Sequence, residues 1–245
     1  MHTNYKYVSH DLLLLIFPVY AFSAPQMVYD WIERLDTIAG TPATVISVSG
    51  GGEILSNTAC RIGCIKRLEC KGYAVEYEDM IVMPSNFLIT TASSVSAALL
   101  QLLPAKTEQI VQSILTGQYR RVRPLFIDRI LFSHIGKIEN HAAQYFGRRI
   151  RISGNCTGCG WCSESCPSGN IHMVDARPRF DGKCHMCLKC IYSCQAKALR
   201  PGILKSIVLK DGYDLMEMRK ELSTDEIKQS TYIALFSEYT LRFLS

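Results

Sequence analysis

The sequence predicts an α/β parallel sheet in its first half, followed by a small α+β unit that has no apolar core of its own. Three observations carry this. Apolar runs of strand length alternate with stretches of helical spacing as far as Leu115. From residue 150 to 205 that periodicity disappears while glycine accumulates, and eight of the eleven cysteines of the 245-residue chain fall there. Charge is divided the same way: residues 120–210 hold sixteen Lys and Arg against five Asp and Glu, although the whole chain is only +5. A composition 48% apolar and 20% charged excludes disorder, collagen-like repeats and a coiled coil.

Leu12 to Phe17 is a continuous apolar run closed by Pro18, and it reads as a strand buried on both faces. Met27, Val28, Trp31, Ile32 and Leu35 then recur at helical spacing. Thr44 to Val48 is a second β-branched run, ending in Ser49-Gly50-Gly51-Gly52, and a helix-like stretch from Glu53 to Lys71 follows it. Val75 to Met83 gives a third strand that stops at Pro84-Ser85-Asn86, and Leu99 to Leu115 reads as one or two helices interrupted by Pro104. Strand, helix, strand, helix implies parallel pairing, with loops gathered at the carboxyl ends of the strands.

The expected divisions are a sheet domain over 1–118, a helical connector over 119–149, a cysteine-rich domain over 150–205 and a helical tail over 206–245. The connector is amphipathic, with Leu125, Ile127, Ile130, Leu131, Ile135 and Ile138 set among many bases. Lys6, the apolar run and Ala24 have the outline of a signal peptide. Asp11 abuts the run, however, Pro18 breaks it and Pro25 follows the only plausible cleavage point, so a cytoplasmic protein is expected. The run is also well short of the ~20 apolar residues that span a bilayer.

Cys156, Cys159, Cys162 and Cys166 stand in C-x2-C-x2-C-x3-C spacing, and Cys184, Cys187, Cys190 and Cys194 repeat it 28 residues later. Three thiolates two residues apart can wrap three corners of a cubane cluster, while the fourth points away to a second cluster. The expected sets are therefore Cys156, Cys159, Cys162 and Cys194 on one 4Fe-4S cluster, and Cys184, Cys187, Cys190 and Cys166 on the other. Gly158, Gly160 and Ser163 are small enough to let backbone amides approach the sulfides. Disulfides would need an oxidising compartment. Zinc also takes four thiolates, but its ribbons usually offer two C-x2-C pairs separated by a longer loop. Cys60, Cys64 and Cys70 read as packing residues, and His134, His141, His172 and His185 have no paired metal spacing.

With C-T-G-C-G-W-C-S-E-S-C-P-S-G-N-I and C-H-M-C-L-K-C-I-Y-S-C-Q-A-K-A-L, residues 147–200 resemble a bacterial-type two-cluster ferredoxin domain. Gln195 departs from the proline often found after the last cysteine, at the cost of no ligand. With Phe17 to Pro25, Ser47 to Gly52 and Met83 to Asn86 upstream, the chain resembles the EFR-type ferredoxins, in which a flavodoxin-like domain precedes the cluster module. The resemblance extends to about residue 215. It implies that the first apolar run is the third strand of a 2-1-3-4-5 sheet, left as a bare edge because the first two strands and their FMN phosphate loop do not precede it here. Tyr20 and Phe22 could stack on a flavin ring, and Ser49, Gly50 and Gly51 could meet its polar edge. Without the phosphate loop, loop packing and chain turning explain the same residues, and FMN is not the expectation.

The function expected is one-electron transfer with redox-protein partners, possible exchange with a flavin, and no substrate site that would make the chain a self-contained enzyme. The alternative is a cluster-stabilised binding or redox-sensing protein with a basic surface. No helix-turn-helix or RNA-binding signature accompanies the basic residues. Eight thiolates on two oxidised clusters add about −4, so the cations are expected to balance the cofactors they surround.

Overall fold

A computed structural model describes residues 11–20, 22–53, 55–88, 90–122, 141–210, 212–219, 222–223 and 225–226. Lys6, His134, the apolar residues named for the connector and most of the tail lie outside these residues. Among the described residues, no helix is long and apolar enough to cross a membrane.

The first unit is a parallel sheet of β1 (Leu13–Pro18), β2 (Pro42–Ser49) and β3 (Ala74–Val82), in that spatial order. Helix α1 (Gln26–Glu33) carries the chain from β1 to β2. The second crossover is α2 (Leu55–Thr58), a 3-10 turn (Ala59–Arg61) and α3 (Ile62–Cys70), so the continuous helix expected from Glu53 is interrupted. Leu15, Phe17, Val45, Met80 and Val82 of the sheet pack on Ile32, Cys60, Cys64, Ile65 and Leu68 to form the main core. Gly63 lets α1 approach α3, since a Cβ there would lie 2.8 Å from the Tyr29 hydroxyl.

Helix α4 (Ser93–Leu115) covers the opposite face, where Ile110 and Ile114 pack on Ile46, Tyr77 and Ile81. It is one helix that continues through Pro104. An internal proline costs about 3 kcal/mol; here the helix is packed on both sides of it, Ala97 and Ala98 with Leu222 and Ile110 on Ile46 and Tyr77. The helix does not reach β1. Leu15 and Phe17 are buried, but Leu14 and Ile16 stay 48% and 55% exposed, so β1 is covered on one face only. An unbroken apolar run predicted burial on both faces; what decides is the width of the helical layer, which stops at β2. Among the described residues β1 pairs only with β2 and forms a sheet edge.

Between sheet and helices lies a buried ion network. Arg61 is fully buried, with Nε 2.6 Å from Glu78, Nη2 3.0 Å from Glu53 and Nη1 donating to Ser47 Oγ at 2.9 Å. Lys106 meets Asp79 at 2.9 Å, and Arg120 reaches both Asp79 (2.7 Å) and Glu53 (3.0 Å). Arg121 reaches Glu69 at 3.0 Å and the buried Glu78 of β3 at 3.4 Å. Residues 119–122, expected to open a helical connector, are instead extended, with Arg120 bridging to Tyr77 of β3. Two cations of the basic segment thus neutralise buried carboxylates of the sheet rather than surrounding the cysteines.

The cysteine-rich unit is two small antiparallel ladders. Strand β4 (Arg151–Ile152) pairs with β7 (Leu199–Arg200), and β5 (Ile171–Val174) with β6 (Arg177–Phe180). The β5–β6 hairpin turns through Asp175 and Ala176, at φ 48° and 55°, the signs a two-residue hairpin requires. Contrary to the expectation of a unit without an apolar core, Phe146, Ile150, Leu188, Leu199 and Ile207 form one, drawn partly from residues outside 150–205, with Phe87 from the loop after β3 packed against it. That loop is the anchor between the units: Tyr192 donates to Asn86 O (2.8 Å), Tyr213 to Pro84 O (3.0 Å), and Leu88 N to Ile207 O (3.1 Å). The expected tail is helical at Leu215–Met218 within the described residues.

Candidate metal centres

The eight cysteines line two separate cavities. One is bounded by Cys156, Cys159, Cys162 and Cys194, with Thr157, Trp161, Met173 and Pro178 around them. The other is bounded by Cys166, Cys184, Cys187 and Cys190, with Phe146, Ile150, Asn170 and Leu188. Each cavity therefore takes three cysteines from one run and the fourth from the other. The sheet ladders explain the exchange. Cys166 and Cys194 each follow a helical turn, Trp161–Glu164 or Lys189–Tyr192, and the chain then enters β5 or β7 on the far side of the unit.

The two runs share an unusual backbone. Gly158, Gly160 and Gly169 have φ of 72°, 80° and 59°; their counterparts 28 residues on, Met186, Leu188 and Lys197, have φ of 54°, 59° and 45°. Left-handed residues at these points turn successive thiols toward one centre. Glycine adopts this at no steric cost, whereas the second run holds it with side chains, at about 1–2 kcal/mol each.

Backbone amides reach the sulfurs. Asn170 N donates to Cys166 Sγ, Met186 N to Cys184 Sγ and Ala198 N to Cys194 Sγ, all at 3.3 Å. Such bonds stabilise thiolate and, in a cluster, stabilise added negative charge. Burial works the other way in the metal-free protein, pushing the Cys184 thiol up to about 11 and raising Cys187 and Cys190 as well. Metal must displace these protons as it binds. Four thiolates on one zinc at ~2.3 Å stand only ~3.8 Å apart; among the described residues, no three His, Cys, Asp or Glu side chains converge to hold a single ion.

His185 lines the second cavity, half-buried, and burial lowers its pKa despite the carboxylate of Asp30 nearby. Cys60 and Cys64 are buried in the main core and Cys70 is exposed. Asn170 and Gly147 belong to the second site although no motif marks them. A Cβ on Gly147 would collide with the Cys184 Cβ and lie 2.9 Å from its Sγ.

The residues named for a flavin lie at the carboxyl ends of β1 and β2. Tyr20 and Ser23 exchange backbone hydrogen bonds (2.9 and 2.8 Å) around Phe22, whose φ is 64°. Ser49 is buried and its hydroxyl accepts from Gly51 N at 3.1 Å. A Cβ on Gly50 would lie 2.8 Å from Ser85 Cα, and one on Gly51 2.6 Å from Asn57 Nδ2. Close approach of the chain thus accounts for both glycines.

Residues 149–195 match the family model of the 4Fe-4S dicluster domain. No curated protein matches the chain. The matched segment spans both cavities, and the chain carries a ferredoxin-like iron–sulfur domain beside its parallel α/β sheet.

Proposed function

We propose that this chain is a one-electron carrier with two 4Fe-4S centres, Cys156, Cys159, Cys162 and Cys194 holding one and Cys166, Cys184, Cys187 and Cys190 the other. The observation that carries the reading is the division of eight cysteines between two cavities, each completed by the last cysteine of the opposite run. A bound 4Fe-4S group supplies one-electron oxidation and reduction, usually at low potential with all-cysteine ligation. The chain's own part is to hold the thiolates, to exclude water with Phe146, Ile150 and Leu188 at the second site, and to aim amides at the sulfurs. Cys159 is exposed, which makes the first site the one accessible to a redox partner.

The partners are other redox proteins, in the cytoplasm. The family resemblance implies exchange with a flavin, and FMN is not the expectation for this chain. Acid treatment of gel-filtered protein should release no flavin.

Anaerobic reconstitution of the full chain should give about eight irons and eight sulfides, with absorbance near 400 nm that dithionite bleaches and air restores. Cys156→Ser and Cys194→Ser should leave the same residual electron paramagnetic resonance signal, and Cys184→Ser and Cys166→Ser the other one. If Cys194→Ser instead matches Cys184→Ser, the crossed ligand sets are wrong. Protein that binds zinc in place of iron and shows no reversible bleaching would remove the electron-transfer reading altogether.

A further inference from the structure

Resting on the two-centre reading, we propose that Asn170 is a positioning residue that makes the second site inequivalent to the first, by tying the loop of its remote ligand, Cys166, to the entry of the Cys184 run. The 28-residue repeat makes the comparison internal. Cys166 corresponds to Cys194 and Asn170 to Ala198. Both copies make the same amide-to-sulfur bond at 3.3 Å. Both make the same backbone bond to the neighbouring ladder, Asp181 N to Asn170 O and Ser153 N to Ala198 O, each at 2.9 Å.

The third bond breaks the symmetry. At the second site Lys183 N, immediately before Cys184, donates to Asn170 Oδ1 at 2.7 Å. Its counterpart, Asn155 N, immediately before Cys156, donates within its own loop to Ser153 Oγ at 3.4 Å, and Ala198 has no side-chain acceptor to offer. Among the described residues, the backbone bond joins the remote-ligand loop to the three-cysteine run at both sites, and the second site adds a side-chain bond that the first lacks. Asn170 is 1% exposed, so its carbonyl makes this bond away from bulk water. Its Nδ2 lies 3.5 Å from the Cβ position of Gly147, the residue whose missing side chain makes room for Cys184. One buried amide thus touches the surroundings of two ligands that come from opposite runs.

The consequence is that the second centre is held more firmly. Release of iron to a ferrous chelator under air, from fully reconstituted protein, should be biphasic in the native chain, and Cys156→Ser should retain only the slow phase. Asn170→Ala should accelerate the slow phase about tenfold, the weight of one lost buried hydrogen bond, and leave the fast phase unchanged. Asn170→Asp keeps an oxygen for Lys183 N and should stay within about twofold of native, while altering the resonance signal of one centre only. The proposal is overturned by monophasic release from the native chain, by Asn170→Ala leaving both phases alone or accelerating both equally, or by Asn170→Asp behaving like Asn170→Ala. Native protein that never exceeds about four irons fails at the earlier step, and that outcome removes the two-centre premise rather than the role of Asn170 alone.

Discussion

Gly147→Ala should empty the second site while improving the helix that carries it. Residue 147 lies in the last turn of the helical stretch 141–148, and alanine is favoured over glycine in a helix by about 0.8–1.0 kcal/mol. The obstacle is local: the new methyl would overlap the Cys184 Cβ and lie 2.9 Å from its Sγ. Non-bonded contacts of this kind settle near 3.5–4.0 Å, so the thiol must retreat by about 0.6–1 Å. Ligand bonds tolerate only ~0.2 Å, and Cys184 is fixed by Met186 N on one side and by Lys183 on the other. The expected result is a fall from about eight irons to about four, loss of the slow phase of release, and an unchanged first-site signal. Gly154→Ala is the control, since a methyl there meets nothing within 4 Å. Full iron content in Gly147→Ala, with native signals from both centres, would refute the placement of Cys184 against this helix.

Arg61→Met removes the cation shared by Glu78 and Glu53. Breaking a buried pair costs about 3–5 kcal/mol, and the lower end is expected because Arg121 and Arg120 still reach those carboxylates. Urea unfolding followed by Trp31 fluorescence in a Trp161→Phe background reads this, and Arg61→Met/Glu78→Gln should recover part of the loss. Cys60, pushed up to about 11 by burial, should resist iodoacetamide at pH 8, as should Cys64, while Cys70 reacts; the sites are read by mass spectrometry of the folded protein. Because its folded pKa is raised, the Cys60 contribution to stability is complete below about pH 9 and is lost as pH rises through 11, about 2–3 kcal/mol in all, which an unfolding series from pH 8 to 11 tests. Lys197→Gly should stabilise the second loop by about 0.5–1 kcal/mol, because φ is 45° there and the matching residue of the first loop is already glycine; no gain in the melting temperature of the loaded protein would count against backbone strain at this position.

Much of this architecture was legible in the residues. Alternation of apolar runs predicted a parallel sheet because parallel strands joined by helices leave that signature, and the duplicated cysteine spacing predicted the division of the eight cysteines between two cavities. The exposed face of β1 was not legible, since a run of leucines does not say how far α4 extends. Glu78 and Asp79 inside an apolar strand did signal buried partners, but which cations answered depended on Arg61 and Arg120, from segments far apart in the chain. Gly147 and Asn170 carry no motif. The two cysteine runs differ in side chain at Asn170 against Ala198, a signal present in the repeat itself; Gly147 lies before the repeat, and only its packing on Cys184 marks it.

The exchange of Cys166 and Cys194 between cavities has a consequence for how the protein is made. The first three-cysteine run leaves the ribosome about 30 residues before Cys194, some 2–6 s at ordinary rates of synthesis. During that interval the first cavity lacks its fourth cysteine, whereas the second is complete once Cys190 has emerged. On the two-centre reading, a first centre delivered early would meet three thiols and one open corner until the β4–β7 ladder, which needs Leu199 and Arg200, closes behind Cys194. The first site is thereby the later of the two to be completed, although its own three-cysteine run is made first.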